Sequence, residues 1–294
     1  MANEIISIDA LLPAEMARRA ESLGVRKAEM PAFTMFSLAI LAGAFIGLGA
    51  MLATVVSAGG ISIKDAAGAA AFSAGLPYGV VRVLTGLVFC LGLILVVVGG
   101  AELFTGNNLI VMAWASRKVT TAALLRNWVI VYLGNFVGSL GTAAIVFLGR
   151  QYTFGSNAVG LNALTIANNK VHLGFVQAIA LGIMCNALVC LAVWMTYSAR
   201  STMDKIAAII FPITGFVAGG FEHSVANMYF IPLGLFIKDF DTVFSAATRL
   251  DLSGLTWGTF LVNNLLPVTI GNIIGGAVLV AAVYWSIFLR QPKQ

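Results

Sequence analysis

Charge, cysteine and histidine are all scarce in this sequence. Only 10% of its 294 residues are Asp, Glu, Lys or Arg, against about 25% in a soluble domain, which excludes an ordinary water-soluble fold. The three cysteines, Cys90, Cys185 and Cys190, sit in apolar stretches and form no Cys-x-x-Cys pair. They read as small packing residues, with neither a disulfide nor a thiolate metal site implied. Two histidines in the whole chain give little support to a haem or a multi-histidine metal centre. The Gly-x-x-x-x-Gly-Lys-Ser/Thr loop that cradles nucleotide phosphates is absent. A nucleophile elbow, a cofactor fingerprint and a metal-ligand set are missing too, so no cofactor, no metal and no enzymatic role are expected.

What the chain has is apolar length. Hydrophobic residues make up 60% of it, the composition of an all-α integral membrane protein. Its net charge of +5 then bears on orientation rather than on nucleic acid, which is not expected as a partner. Residues 1–32 carry charges throughout and lack the short apolar core of a signal peptide. Leu11, Leu12, Met16, Leu23 and Val25 interleave there with Glu15, Arg18, Arg19, Glu21, Arg26 and Lys27. With Pro13 in a first-turn position, this predicts a cytoplasmic amphipathic helix on the membrane surface or against the body of the protein. It is also the place where a soluble cytoplasmic partner would dock.

Residues 33–289 read as the membrane domain, with 290–294 a short tail. The first span runs from Phe33 to Val56, enough to cross a hydrocarbon core of ~30 Å at ~1.5 Å per residue. Gly43, Gly47 and Gly49 give it a small-residue face. A Gly-rich loop through Lys64 and Asp65 to Pro77 follows. The second span, Val80 to Ala101, stops at Glu102-Leu103-Phe104-Thr105-Gly106-Asn107-Asn108 and resumes only from Leu109 to Ala115. Trp128–Leu148 and Leu173–Tyr197 are the third and fourth. The fifth runs from Ile206 to Phe221, breaks at Glu222-His223-Ser224 and resumes from Val225 to Ile237; the sixth is Thr259 to Leu289. With the N-terminus inside, eleven of the 17 Lys and Arg residues fall on the cytoplasmic side. That bias places both chain ends in the cytoplasm.

Glu222 and His223 put two ionisable groups side by side within an apolar span. Such a pair at membrane depth marks a functional site by default; the bland alternative is a histidine that only bonds nearby backbone. A second stretch favours function. Gly100-Ala101-Glu102-Leu103-Phe104-Thr105-Gly106-Asn107 matches Gly220-Phe221-Glu222-His223-Ser224-Val225-Ala226-Asn227 at Gly, Glu and Asn. Gly134-Asn135-Phe136-Val137-Gly138 likewise matches Gly271-Asn272-Ile273-Ile274-Gly275. Two halves of three spans each are implied, and because three is odd the second is inverted. Inverted repeats with paired broken helices point to a substrate path at the bilayer midplane. Half-helix N-termini facing a common pore favour an anion. Thr105 and His223 supply a hydrogen-bonding centre, with a group able to carry a proton. A neutral-solute pore is disfavoured, since Asn-Pro-Ala occurs at neither break.

These segments resemble the formate/nitrite transporter family, and most closely its bacterial formate channels. The similarity extends from Leu12-Pro13-Ala14-Glu15 to Tyr284-Trp285 and includes Leu191-Ala192-Val193-Trp194-Met195 and Asn264-Leu265-Leu266-Pro267-Val268-Thr269-Ile270-Gly271-Asn272. The resemblance implies a homopentamer of aquaporin-like protomers in the bacterial inner membrane, each with its own pore for formate. Nitrite, hydrosulfide and other short-chain acid anions are the alternatives. It further implies that His223 is the central histidine, Thr105 its partner on a loop, and Glu222 a residue that tunes it. Lys170 and Asn186 would help draw the anion in. Phe89, Leu93 and Phe216 would form the outer constriction, Leu103 and Phe104 the inner one, with protons exchanged at the histidine or accompanying the anion. By pattern alone the apolar residues could equally be packing, and Lys170 could snorkel to the interface. Gly106-Asn107-Asn108 departs from the formate channels and resembles the nitrite and hydrosulfide branches. His172 reads as interfacial and carries no assigned role.

Overall fold

Nearly every long apolar run becomes a helix, because only intrachain hydrogen bonds satisfy the backbone where water is missing. The computed structural model describes residues 10–59, 61–64 and 70–290. In chain order the helices are α1 (Pro13–Glu29), α2 (Ala32–Ser57), α3 (Tyr78–Gly99), α4 (Val111–Ala115), α5 (Thr121–Leu148) and α6 (Ala158–Val171). After them come α7 (Phe175–Ser198), α8 (Thr202–Ala218), α9 (Ser224–Phe240), α10 (Thr242–Ala247) and α11 (Trp257–Phe288). Among the described residues α2, α3, α5, α7 and α11 are each long and apolar enough to cross a membrane. The remaining apolar stretch is shared by α8 and α9, 17 residues each, separated by residues 219–223.

Local chemistry sets the ends of several helices. Pro13 opens α1, and the Glu15 carboxylate accepts the Leu12 N–H at 2.9 Å. The Ser201 hydroxyl caps α8 through the Asp204 amide, and Asp204 answers by accepting the Ser201 N–H. Both breaks begin at a left-handed glycine, Gly100 with φ 79° and Gly220 with φ 76°, a conformation glycine adopts without a Cβ penalty.

Three features differ from the sequence reading. The stretch between α2 and α3 is no plain loop: it contains an antiparallel pair, β1 (Ile61–Lys64) and β2 (Ala70–Ala74), while Asp65 lies outside the described residues, as do residues 1–9 and 291–294. The segment after the first break is not one half-helix, since Gly106–Ile110 is a 3-10 turn leading into the five-residue α4. And α6 lies between the third and fourth spans, unforeseen because Asn162, Asn168, Asn169 and Lys170 dilute its hydropathy. Its buried face, with Val159, Leu164, Ala167 and Val171, packs against α9.

Glycine brings the long helices into contact in matching fashion in the two halves. A Cβ on Gly138 of α5 would lie 1.9 Å from the Ile40 carbonyl oxygen of α2. One on Gly275 of α11 would lie 2.2 Å from that of Ile183 in α7. Such backbone-to-backbone approach requires small residues. Two π-helical stretches, Phe260–Leu265 and Ile274–Ala282, interrupt α11, and the first carries Asn264.

Candidate functional site

The two breaks are built alike from buried amides. In the first, the Glu102 N–H reaches the Leu38 carbonyl at 3.2 Å; in the second, the Glu222 N–H reaches the Leu181 carbonyl at 3.3 Å. Asn135 donates to the carbonyls of Ala39 and Glu102 and accepts the Phe104 N–H. Asn272 donates to the carbonyls of Gly182 and Glu222 and accepts the Ser224 N–H. Each asparagine thus pins a non-helical segment to a neighbouring helix. The Phe104 and Ser224 N–H groups are both taken up by these asparagine side chains.

Charged and amide side chains around the breaks form two matching clusters. Lys27 of α1 pairs with Glu102 at 2.6 Å, and Asn107 donates to Glu102 at 2.8 Å and to Asn127 at 3.0 Å. Lys170 of α6 pairs with Glu222 at 2.6 Å, and Asn227 donates to Glu222 and to Asn264, both at 2.7 Å. Asn127 donates to the Lys27 carbonyl and Asn264 to that of Lys170. A buried carboxylate is tolerable only when paired and hydrogen-bonded in this way. Lys170 does not snorkel: it is held by Glu222 and lies 5.5 Å from the centre of the Phe230 ring.

Thr105 and His223 meet between these clusters. The Thr105 hydroxyl lies 3.0 Å from His223 Nε2, and both residues are buried. His223 is also the N-cap of α9, its Nδ1 accepting the Ala226 N–H at 3.1 Å. A backbone amide can only donate, so the neutral ring carries its proton on Nε2. Nε2–H then donates toward Thr105, which frees the threonine hydroxyl proton for a third partner. Protonating Nδ1 as well would break the cap of α9.

Two cavities approach this centre. One, of about 290 Å³, is lined by Phe89, Lys170, Phe216, Glu222 and His223 among others; we refer to it as the far mouth. The other, about 460 Å³, is lined by Lys27, Leu93, Glu102, Leu103 and Asn107, and α1 supplies part of its wall. Phe216 stands edge-on to Phe89 at 5.5 Å and stacks on His223 at 5.9 Å. Leu93 lines the α1-side cavity together with Leu103. Phe104 is buried and packs edge-on to Trp128 and Tyr132. The Asn186 amide donates to the carbonyls of Asn272 at 2.7 Å and Thr105 at 3.3 Å, and the Cys190 thiol reaches the same Thr105 carbonyl, so both tie down the loop that carries Thr105. His172 bonds the Asn168 carbonyl in an exposed setting.

Glu102, Asn107 and Asn227, marked by the repeat but given no site role, form part of the centre, as do Lys27, Asn127 and Asn264, which the sequence reading did not assign to it. The repeat held the signal for the asparagines: carrying the match of Asn135 with Asn272 eight residues back pairs Asn127 with Asn264. Lys27 had no such marker, because its distance to Glu102 is 75 residues and that of Lys170 to Glu222 is 52.

The geometry has counterparts among known proteins. The sequence profile described as Formate/nitrite transporter matches residues 14–286. The chain is 44% identical to the formate channel FocA of Escherichia coli K12, with 96% of each chain covered. It is 38% identical to a probable formate transporter of Methanothermobacter thermautotrophicus, over 95% of this chain and 97% of that one. Among solved structures it is similar to a pentameric formate channel with formate bound, with a TM-score of 0.77 and 46% identity, covering 88% of this chain and 98% of that one.

Proposed function

The chain belongs to the formate/nitrite transporter family, and from that premise we propose that it conducts formate across a membrane, one pore to a protomer. The observation that carries this reading is the buried Thr105–His223 contact between two cavities, each with a lysine–glutamate pair at its wall. An isolated anion entering an apolar constriction loses its hydration at a cost far above thermal energy. Donors at the barrier lower that cost. The threonine hydroxyl is such a donor: with His223 Nε2–H given to its oxygen, its own proton is free to meet the solute. With Nδ1 occupied by the α9 cap, the proton is best supplied by the entering solute: it accompanies the anion, which passes the apolar rings as neutral acid. Exchange at the ring itself requires the cap to open.

Phe89 and Phe216 then form the barrier on the far side, Leu93 and Leu103 that on the α1 side. Asn186 acts through the loop that carries Thr105. Glu222 and Glu102 hold their lysines and asparagines in place. The protomers assemble as a homopentamer in lipid, in keeping with the pentameric channel the chain is similar to. The protein is a channel and not an enzyme, sits in the inner membrane, and has both termini and α1 on the cytoplasmic side, where α1 is also the surface for a soluble partner. Flux into proteoliposomes, compared for formate, nitrite, hydrosulfide and acetate across a pH series, tests the reading. Formate should enter well above the empty-vesicle rate and faster at low pH. Equal rates with and without protein would overturn anion conduction, and a clear preference for nitrite or hydrosulfide would move the chain to another branch of the family.

A further inference from the structure

Charge bookkeeping at the two mouths separates lysine from arginine. Among the residues lining the far cavity the charged ones are Arg82, Lys170 and Glu222. Lys170 and Glu222 neutralise each other at 2.6 Å, which leaves Arg82 as the net charge. On the α1 side the charged lining residues are Arg26, Lys27 and Glu102; Lys27 and Glu102 cancel at 2.6 Å, and Arg26 remains. Each mouth therefore consists of a balanced ion pair plus one unbalanced guanidinium.

Arg82 is also placed to change the sign of its surroundings. From the first turns of α3 its Nε donates to the Ala218 carbonyl at 3.1 Å, and its Nη2 to the Val217 carbonyl. Those are the last carbonyls of α8, and a helix C-terminus carries roughly half a negative charge that would repel an anion. Gly220 leaves room for the arginine: a Cβ there would stand 3.3 Å from Nη2. The corresponding end of α3 has no such cap among the described residues, and nothing lies within 4 Å of a Cβ built on Gly100. So the otherwise matching halves differ here.

We infer that Arg82 forms an anion-capture site in the far mouth, with Arg26 its counterpart on the α1 side. The inference rests on the anion-conduction reading above. It deepens that reading by naming the residues that concentrate substrate before it reaches Thr105 and His223. Even after offsetting the end of α8, Arg82 leaves net positive charge in the mouth, and such a charge in a low-dielectric funnel raises local anion concentration about tenfold, the low end of electrostatic focusing.

The test uses the full-length protein in proteoliposomes sorted by orientation, with formate presented to one face at a time. Arg82→Gln should raise the half-saturating formate concentration about tenfold from the far face, leave it unchanged from the α1 face, and not lower the maximal rate. Arg26→Gln should do the reverse. Both differences should fade at ~1 M inert salt, where the screening length falls to ~3 Å. Arg82→Lys, which keeps the charge and loses the fork to the two carbonyls, should stay close to the native half-saturation. A lowered maximal rate at unchanged half-saturation would make Arg82 a helix cap only, and Arg82→Lys behaving like Arg82→Gln would overturn the site equally. If Arg82→Gln does not assemble, Arg82→Cys is modified in the membrane with a cationic or an anionic thiosulfonate. Only the cationic adduct should restore native half-saturation; equal behaviour of the two sinks the inference. Native protein that passes no formate would instead bring down the conduction reading on which the site depends.

Discussion

At the scale of single residues, His223 holds two positions at once, as the N-cap of α9 and as the partner of Thr105. His223→Asn separates them, because asparagine is among the best N-caps but has no ring nitrogen to reach the threonine. The variant should fold and assemble while the pH dependence of flux changes; an unchanged profile would reduce His223 to a structural cap. The lysine–glutamate pairs behave differently. Lys170→Met leaves Glu222 buried without its counter-ion, which costs about 3–5 kcal/mol for such a pair, and should lower the thermal midpoint clearly. Adding Glu222→Gln should recover most of the loss, since an uncharged amide still bonds its asparagines. Failure of the double variant to recover would mean that the charge pair itself contributes the stability.

Between elements, the decisive contacts are glycine seams. Gly275 of α11 meets the backbone of α7 so closely that a methyl group has nowhere to go. Gly275→Ala should therefore force α7 and α11 apart, at about 1–3 kcal/mol for an overpacked contact. Because Asn272 and Asn186 bridge the same two helices to the breaks, formate flux should fall as well. Gly141→Ala is the control, as nothing lies within 4 Å of its Cβ; its thermal midpoint should match the native one or exceed it. Equal midpoints for the two variants would argue against a rigid seam. The seam was partly legible in the sequence, through the repeat Gly134-Asn135 and Gly271-Asn272. Its partners Ile40 and Ile183 were not, since nothing in an isoleucine marks which of its backbone atoms a distant glycine will touch.

For the molecule as a whole, the repeat reaches further than three spans matched with three. α1 and α6, each carrying in its last turn a lysine that binds the glutamate of its own half, belong to it too. The helix at the N-terminus is therefore a wall of one cavity and not only an appendage on the surface. Its polar anchors, Lys118 to Glu21 at 2.5 Å and Arg126 to the Met30 carbonyl at 3.2 Å, hold it to the body. Exposed apolar side chains along α2, α3, α5 and α11, such as Leu41, Val83, Leu133 and Val278, await lipid or other protomers. Native mass measurement of the detergent-extracted protein should give five copies; a stable monomer that still conducts formate would remove the pentamer from the proposal.

The sequence by itself determined the membrane class, the positions of the long helices and the two breaks, because hydropathy and a carboxylate next to a histidine are properties of neighbouring residues. It also held the glutamate–asparagine repeat that makes the breaks a pair. Only the tertiary structure decided which groups face which. It bonded Asn186 to the loop of Thr105, packed Phe104 against Trp128 and Tyr132, paired Lys170 with Glu222, and set Arg82 on the last carbonyls of α8. It also showed the Glu222-His223 break held in place by Asn272 from α11 and Lys170 from α6. Hydrogen bonds and ion pairs between residues distant in sequence depend on helix packing, and packing is set by close approaches that no local pattern records.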